Sequence, residues 1–183
     1  MKIVITYKKV SCLNMRVTQK GEVHVSAPIG YPRSEIEKFI ETNKEWIVKA
    51  IERTQKRLDT RHSFYVQLPL KTKEQKEEAF ERIKAKTIPL LEKYSSLMGV
   101  SYSGVTYKNT ISKWGSCNTC TKHINLSVYL LLLPDFCIEH VVVHELAHLL
   151  VPNHGPKFHA TMDIFFPRWK EARAETLKIA RNG

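Results

Sequence analysis

Long apolar stretches are missing from this 183-residue sequence. The longest, Val128 to Leu133, has six residues, far below the roughly 20 that a membrane-crossing helix requires, so no membrane partner is expected. The opening Met1 to Lys9 carries too short an apolar run for a secretory leader. Cysteine is scarce. Cys12, Cys117, Cys120 and Cys137 follow no regular framework spacing, and they are expected to be reduced thiols of a cytoplasmic protein, not disulfide staples. There is no P-loop, no G-x-G-x-x-G and no Ser/His/Asp arrangement, which removes the common nucleotide-cradling and serine-hydrolase readings. Acidic residues are in deficit, with 18 Asp and Glu against 29 Lys and Arg.

The resulting net charge of +11 is uneven. Residues 1–62 hold 13 basic and 7 acidic groups, a balance of +6, whereas residues 111–183 hold 8 and 6, a balance of +2. A basic surface can attract nucleic acid or nucleotides, anionic lipid or acidic substrates, or can simply be a solvated face. Apolar residues at 43% and charged residues at 26% describe a globular chain with a real core.

Residues 3–27 read as strands. Val23, Val25 and Ala27 alternate with polar neighbours, and Gln19-Lys20-Gly21 marks a turn, so a β-hairpin region is expected. Ser34 with Glu37 has capping-box spacing before a helical stretch that runs to Ile51, broken or unbroken near Thr42-Asn43. Residues 59–70 lose periodicity and contain Pro69, and are read as a linker. A long helix follows from about Thr72 to Met98, which Pro89 should kink or divide and Gly99 should end. Strands are expected at Val105 to Tyr107, Ile111 to Trp114 and Ile124 to Leu126. Asp135 opens a helix that should end at Val151, before Pro152, and helices follow from Pro156 and over about Arg168 to Arg181.

The chemistry concentrates in His144-Glu145-Leu146-Ala147-His148, inside a stretch that is helical by its apolar spacing. Residues four apart lie about 40° apart around a helix and one turn apart along it. His144 and His148 can therefore reach one metal ion, while Glu145 projects to the edge of that side, where it can act as a general base on water. Three ionisable side chains flanked by Val141-Val142-Val143 and Leu149-Leu150 are costly unless something pairs with them. A third ligand must come from chain that turns back over the helix. His154, in Pro152-Asn153-His154-Gly155, offers that turn directly, and His159, one helical turn later, competes with it. His140, one turn before His144, reads as a partly buried helix residue. Cys117-Asn118-Thr119-Cys120 lacks the second pair that a zinc ribbon needs.

These residues, with Asn153-His154-Gly155, Phe158, Trp114-Gly115-Ser116-Cys117 and Ile124-Asn125-Leu126, resemble the YgjP-like metallopeptidase domain, which is related to the SprT-like zinc proteases. The resemblance departs at Lys113, where arginine is usual, and at His140, where tyrosine is common. It implies His154 as the third zinc ligand and an α+β, zincin-like fold. In that fold a small antiparallel sheet packs on the active-site helix of a metallopeptidase domain over residues 63–183, with a β-hairpin and helix appendage over residues 1–62. It implies a zinc-dependent hydrolase of peptide bonds, with Glu145 as base and peptide or protein as substrate. The family has also been linked to nucleoside-triphosphate (UTP-type) pyrophosphatase activity, which a basic chain would suit. A nucleic-acid-associated module with a mainly structural zinc site is the third expectation.

Overall fold

The alternation at Val23, Val25 and Ala27 is realised in a computed structural model that describes residues 2–182: all three are fully buried while His24 and Ser26 are only partly so. They belong to the central strand of a three-stranded sheet made by β1 (Ile3–Lys8), β2 (Asn14–Val17) and β3 (Val23–Pro28). β2 and β3 form the expected antiparallel hairpin, turning through Gly21 at φ 74°, a conformation glycine adopts without cost. β1 adds to the other edge of β3 in parallel, which the hairpin reading did not contain.

Helix α1 (Arg33–Thr42) ends at Asn43, whose side chain donates to the Phe39 carbonyl, and α2 (Lys44–Val66) starts anew. Ser34 is not the cap. Pro32 holds that position without a side-chain bond, and Arg33 pairs with Glu37 instead. Nor are residues 59–66 a linker, because α2 continues through them. Strong helix formers such as Glu52, Gln55, Lys56, Arg57 and Leu58 sustain a helix whose apolar stripe has faded. Ile36 and Ile47 close an apolar core with Val23, Val25 and Ala27.

Chain contacts divide the protein into two compact units, Met1–His62 and Ser63–Gly183. In the second, α3 (Lys73–Met98) begins with a complete capping box between Thr72 and Gln75 and ends at Gly99 with φ 64°. Pro89 is absorbed within it. β4 (Gly104–Lys108), β5 (Gly115–Asn118) and β6 (His123–Ser127) form a sheet of order β4-β6-β5. This sheet is mixed, not antiparallel as expected: β4 runs parallel to β6, and only β5 is antiparallel to it. Ile111 to Trp114 is turn, and the strand starts at Gly115.

The leucine-rich Val128–Leu132 forms a 3-10 turn. Helix α4 (Asp135–Ala147) is buried on nearly every side and packs on α3, β5, α5 (Pro156–Phe165) and α6 (Trp169–Asn182). It ends earlier than Pro152 alone dictates, because the amides of Leu149 and Leu150 tighten onto the carbonyls of Leu146 and Ala147. Among the described residues, no helix is long and apolar enough to cross a membrane.

Candidate metal centre

Helix α4 carries His144 one turn before His148, its C-terminal cap residue. The chain then turns through Pro152-Asn153, where the Gly155 amide donates to the Asn153 carbonyl, and Pro156 starts α5. This reversal returns His154 over the end of α4. His144 Nε2 and His154 Nε2 stand 3.0 Å apart, and one ligand nitrogen from each of His144, His148 and His154 lies within 4.8 Å of the other two. Tetrahedral nitrogen ligands on zinc at about 2.0–2.1 Å sit about 3.3 Å from one another. The donor set therefore fits a small divalent cation in both chemistry and spacing.

The surroundings disfavour the charged forms of His144 and His148. Burial, then the neighbouring rings of His148, His140 and His154, lower the His144 pKa to about 3. Burial also lowers that of His148. His148 Nδ1 lies 3.3 Å from the Val151 carbonyl. A proton held there leaves Nε2 free as a ligand. Phe158, at 2% exposure, floors the cluster, its ring centroid 4.9, 4.7 and 4.8 Å from those of His144, His148 and His154. His159 lies elsewhere, stacked on Trp169 at 5.1 Å. His140 lies beneath the site, its ring 5.8 Å from His144, outside the converging set.

Glu145 is 5% exposed. Burial raises its carboxyl pKa to about 8, against the pull of Lys113 and of a hydrogen bond from the Cys117 amide. β5 is built around it. A Cβ on Gly115 would come within 2.6 Å of Glu145 Oε1, so only glycine lets the strand lie against the carboxylate. The strand is fixed in turn by the Ser127 amide donating to the Trp114 carbonyl and by the Trp114 ring against Phe64 and Tyr65. The roles of Gly115 and of the Cys117 amide were not read from the sequence. The one signal was Trp114-Gly115-Ser116-Cys117 itself, a glycine inside a strand, which marks a close backbone approach.

The Cys-x-x-Cys does not make a reactive pair. Its four residues turn around the Asn118 side chain, which accepts the amides of Cys120 and Thr121. Burial and the nearby Glu145 push the Cys117 thiol up to about 11, the opposite of an activated thiolate.

No curated protein matches the chain. Among solved structures, the metallopeptidase zymogen abylysin of Pyrococcus abyssi is similar at a TM-score of 0.47 and 24% identity, over 52% of this chain and 97% of that one. Jannalysin of Methanocaldococcus jannaschii, also a metallopeptidase zymogen, gives 0.45 and 20%, over 49% and 92%. A family model described as YgjP-like, metallopeptidase domain, matches residues 12–71 and 65–178. These stretches take in most of the sequence, and the chain belongs to the YgjP-like metallopeptidase family.

Proposed function

We propose that the protein is a zinc-dependent peptidase, with residues 63–183 as a zincin-like catalytic domain and residues 1–62 as an appended unit. His144, His148 and His154 would hold the metal. The observation that carries the reading is the convergence of these three imidazoles at a helix whose buried Glu145 carboxylate has Gly115 and the Cys117 amide of β5 against it. Zinc, when bound, supplies Lewis acidity that brings the pKa of water down to about 7 and polarises the carbonyl under attack.

The chain's own residues do the rest. In its ionised form, which a cation held by the neighbouring imidazoles would favour over the protonated form that burial alone promotes, a Glu145 carboxylate oxygen takes the proton of the attacking water and returns it to the leaving amine. The Cys117 amide and the Gly115 backbone hold the carboxylate at one place and one angle, so the proton acceptor needs no rearrangement. β5 is an edge strand, paired only with β6. Its outer edge can take an extended peptide as a further strand and draw the scissile bond toward the imidazoles.

The test is a substrate panel on zinc-loaded protein, set against the Glu145→Gln variant. Casein or an unfolded polypeptide is cleaved, and the substitution lowers that rate by about 100- to 10,000-fold while bound zinc is kept. Release of pyrophosphate from nucleoside triphosphates with casein untouched would overturn the peptidase reading. So would cleavage that is indifferent to Glu145.

A further inference from the structure

The first unit carries a second candidate site that the peptidase reading does not use. A groove of about 470 Å³ runs between β2 and α2, and no acidic side chain lines it. Met15 and Val17 give it an apolar flank, and Trp46, Arg16, Arg53 and Arg57 complete the part that matters. Trp46, Arg53 and Arg57 lie at intervals of seven and four residues on α2. This places them within about 40° around the axis and spreads them over about 16 Å along it. Trp46 is 42% exposed, a large aromatic left open to solvent.

The three arginines have no carboxylate partner among the described residues. Arg53 is steadied through Nε, which donates to the Lys49 carbonyl at 3.0 Å. Four of the seven acids of this unit are engaged elsewhere: Glu22 with Lys2 and His24, Glu37 with Arg33, Glu41 with Lys44, and Asp59 with Gln55. Arg16, Arg53 and Arg57 thus bring three of the thirteen basic groups of residues 1–62 to one groove that no acidic side chain lines, and such a groove suits an anion.

We propose that this groove binds single-stranded nucleic acid, with Arg16, Arg53 and Arg57 on successive phosphates and a base stacked on Trp46. Arginine forks match phosphate and carboxylate alike. The exposed indole beside an apolar flank decides between them, because every base offers a π-face to stack and an acidic peptide offers none. The spread of the arginines favours a strand over a single nucleotide. The proposal rests on the first unit alone and stands independently of Glu145 and the metal.

The test is fluorescence anisotropy of a labelled oligothymidylate with the full-length protein at several salt concentrations. Each variant is first checked by circular dichroism and thermal melting. Arg53→Gln with Arg57→Gln should weaken binding about tenfold or more and reduce the salt slope by about 1.4, the release expected for two single-strand phosphate contacts. Trp46→Leu should cost about fivefold or more, and Trp46→Phe should restore most of it. Lys8→Gln with Lys9→Gln removes the same charge from the opposite edge of the sheet, where both lysines are exposed, and should change affinity by less than about twofold. Equal loss in the two double variants would reduce the effect to diffuse charge and overturn the site. A wild-type affinity in Trp46→Leu, or displacement of the oligonucleotide by polyglutamate or a mononucleotide as readily as by unlabelled oligothymidylate, would do the same.

Discussion

In each unit the last of three strands lies in the middle of the sheet, parallel to the first strand and antiparallel to the second. What differs is how polar groups are treated around that shared plan. Around β3 the buried residues are Val23, Val25, Ala27, Ile36 and Ile47, all apolar, and the charges stay at the surface. The second unit buries Thr87, Ser127, His140, Glu145 and Thr176. Burying an ionisable group costs free energy unless hydrogen bonds or a counter-charge compensate. The edge strands show how that cost is met. β2 sets Met15 and Val17 partly into an apolar core, whereas β5 sets a bare glycine and an amide donor against a carboxylate. One strand order thus serves a surface that collects charge in one unit and an interior that confines charge in the other.

The comparison is broken most severely by removing what the confined groups serve. His154→Ala takes away the one member of the imidazole set that is exposed and lies outside α4. Its zinc affinity should fall by more than the roughly 10–100-fold typical of losing an outer hydrogen-bond partner, and peptidase activity should fall with it. His159→Ala, which removes a stack on Trp169 and an edge contact with Phe158 but no converging nitrogen, should keep its zinc. Metal analysis of the two purified variants decides. If the His159 variant alone loses metal, the ligand set is wrongly assigned.

A smaller effect separates the two edge strands. Gly115 and Asn14 each open a strand that pairs on one side only. In Gly115→Ala the new methyl group cannot coexist with Glu145 Oε1 at 2.6 Å, so carboxylate or strand must move. A displacement of about 1 Å at a reacting group costs about 100-fold in rate, and that loss is expected with zinc content unchanged. Asn14→Ala, on an exposed position, should leave both activity and stability within about 0.5 kcal/mol of the starting protein. Full activity in the glycine variant would mean that β5 does not fix the carboxylate.

These contrasts also show what was legible beforehand. His144, Glu145 and His148 could be read because helical spacing is local, and the helix start near Thr72 and the stop at Gly99 for the same reason, whereas the capping box that Thr72 forms with Gln75 was not read. The break at Asn43 was one of two readings left open, and its glycine-free cap gave no stronger signal. Strand pairing was not legible. That β4 runs parallel to β6 depends on chain between them that returns by way of β5. Polar helix was mistaken for linker after residue 59, because propensity without an apolar stripe leaves no period to detect. The contact of Gly115 with Glu145 joins a strand to a helix far along the chain, and although the glycine marks a close approach, no pattern in either segment names its partner.

The smallest effect concerns the one confined group without compensation. His140 is 7% exposed, and neither ring nitrogen has a hydrogen-bond partner. Burial and the nearby Arg173 lower its pKa to about 4, which keeps it neutral. An unsatisfied buried polar group costs about 1–3 kcal/mol. Against this stand its ring contacts with His144 and Phe166, at 5.8 and 6.0 Å, where aromatic pairs contribute about 0.5–1.5 kcal/mol. Two unpaired nitrogens at about 1.5 kcal/mol each exceed two ring contacts at about 1 kcal/mol each by about 1 kcal/mol. His140→Leu should therefore raise the melting temperature by about 2–4 °C in a chain of this size. Zinc content should not change, because His140 lies outside the converging set. A melting temperature lowered by a similar amount would show that the imidazole is held by packing stronger than its two ring contacts, and the second unit would then confine His140 as tightly as it confines Glu145.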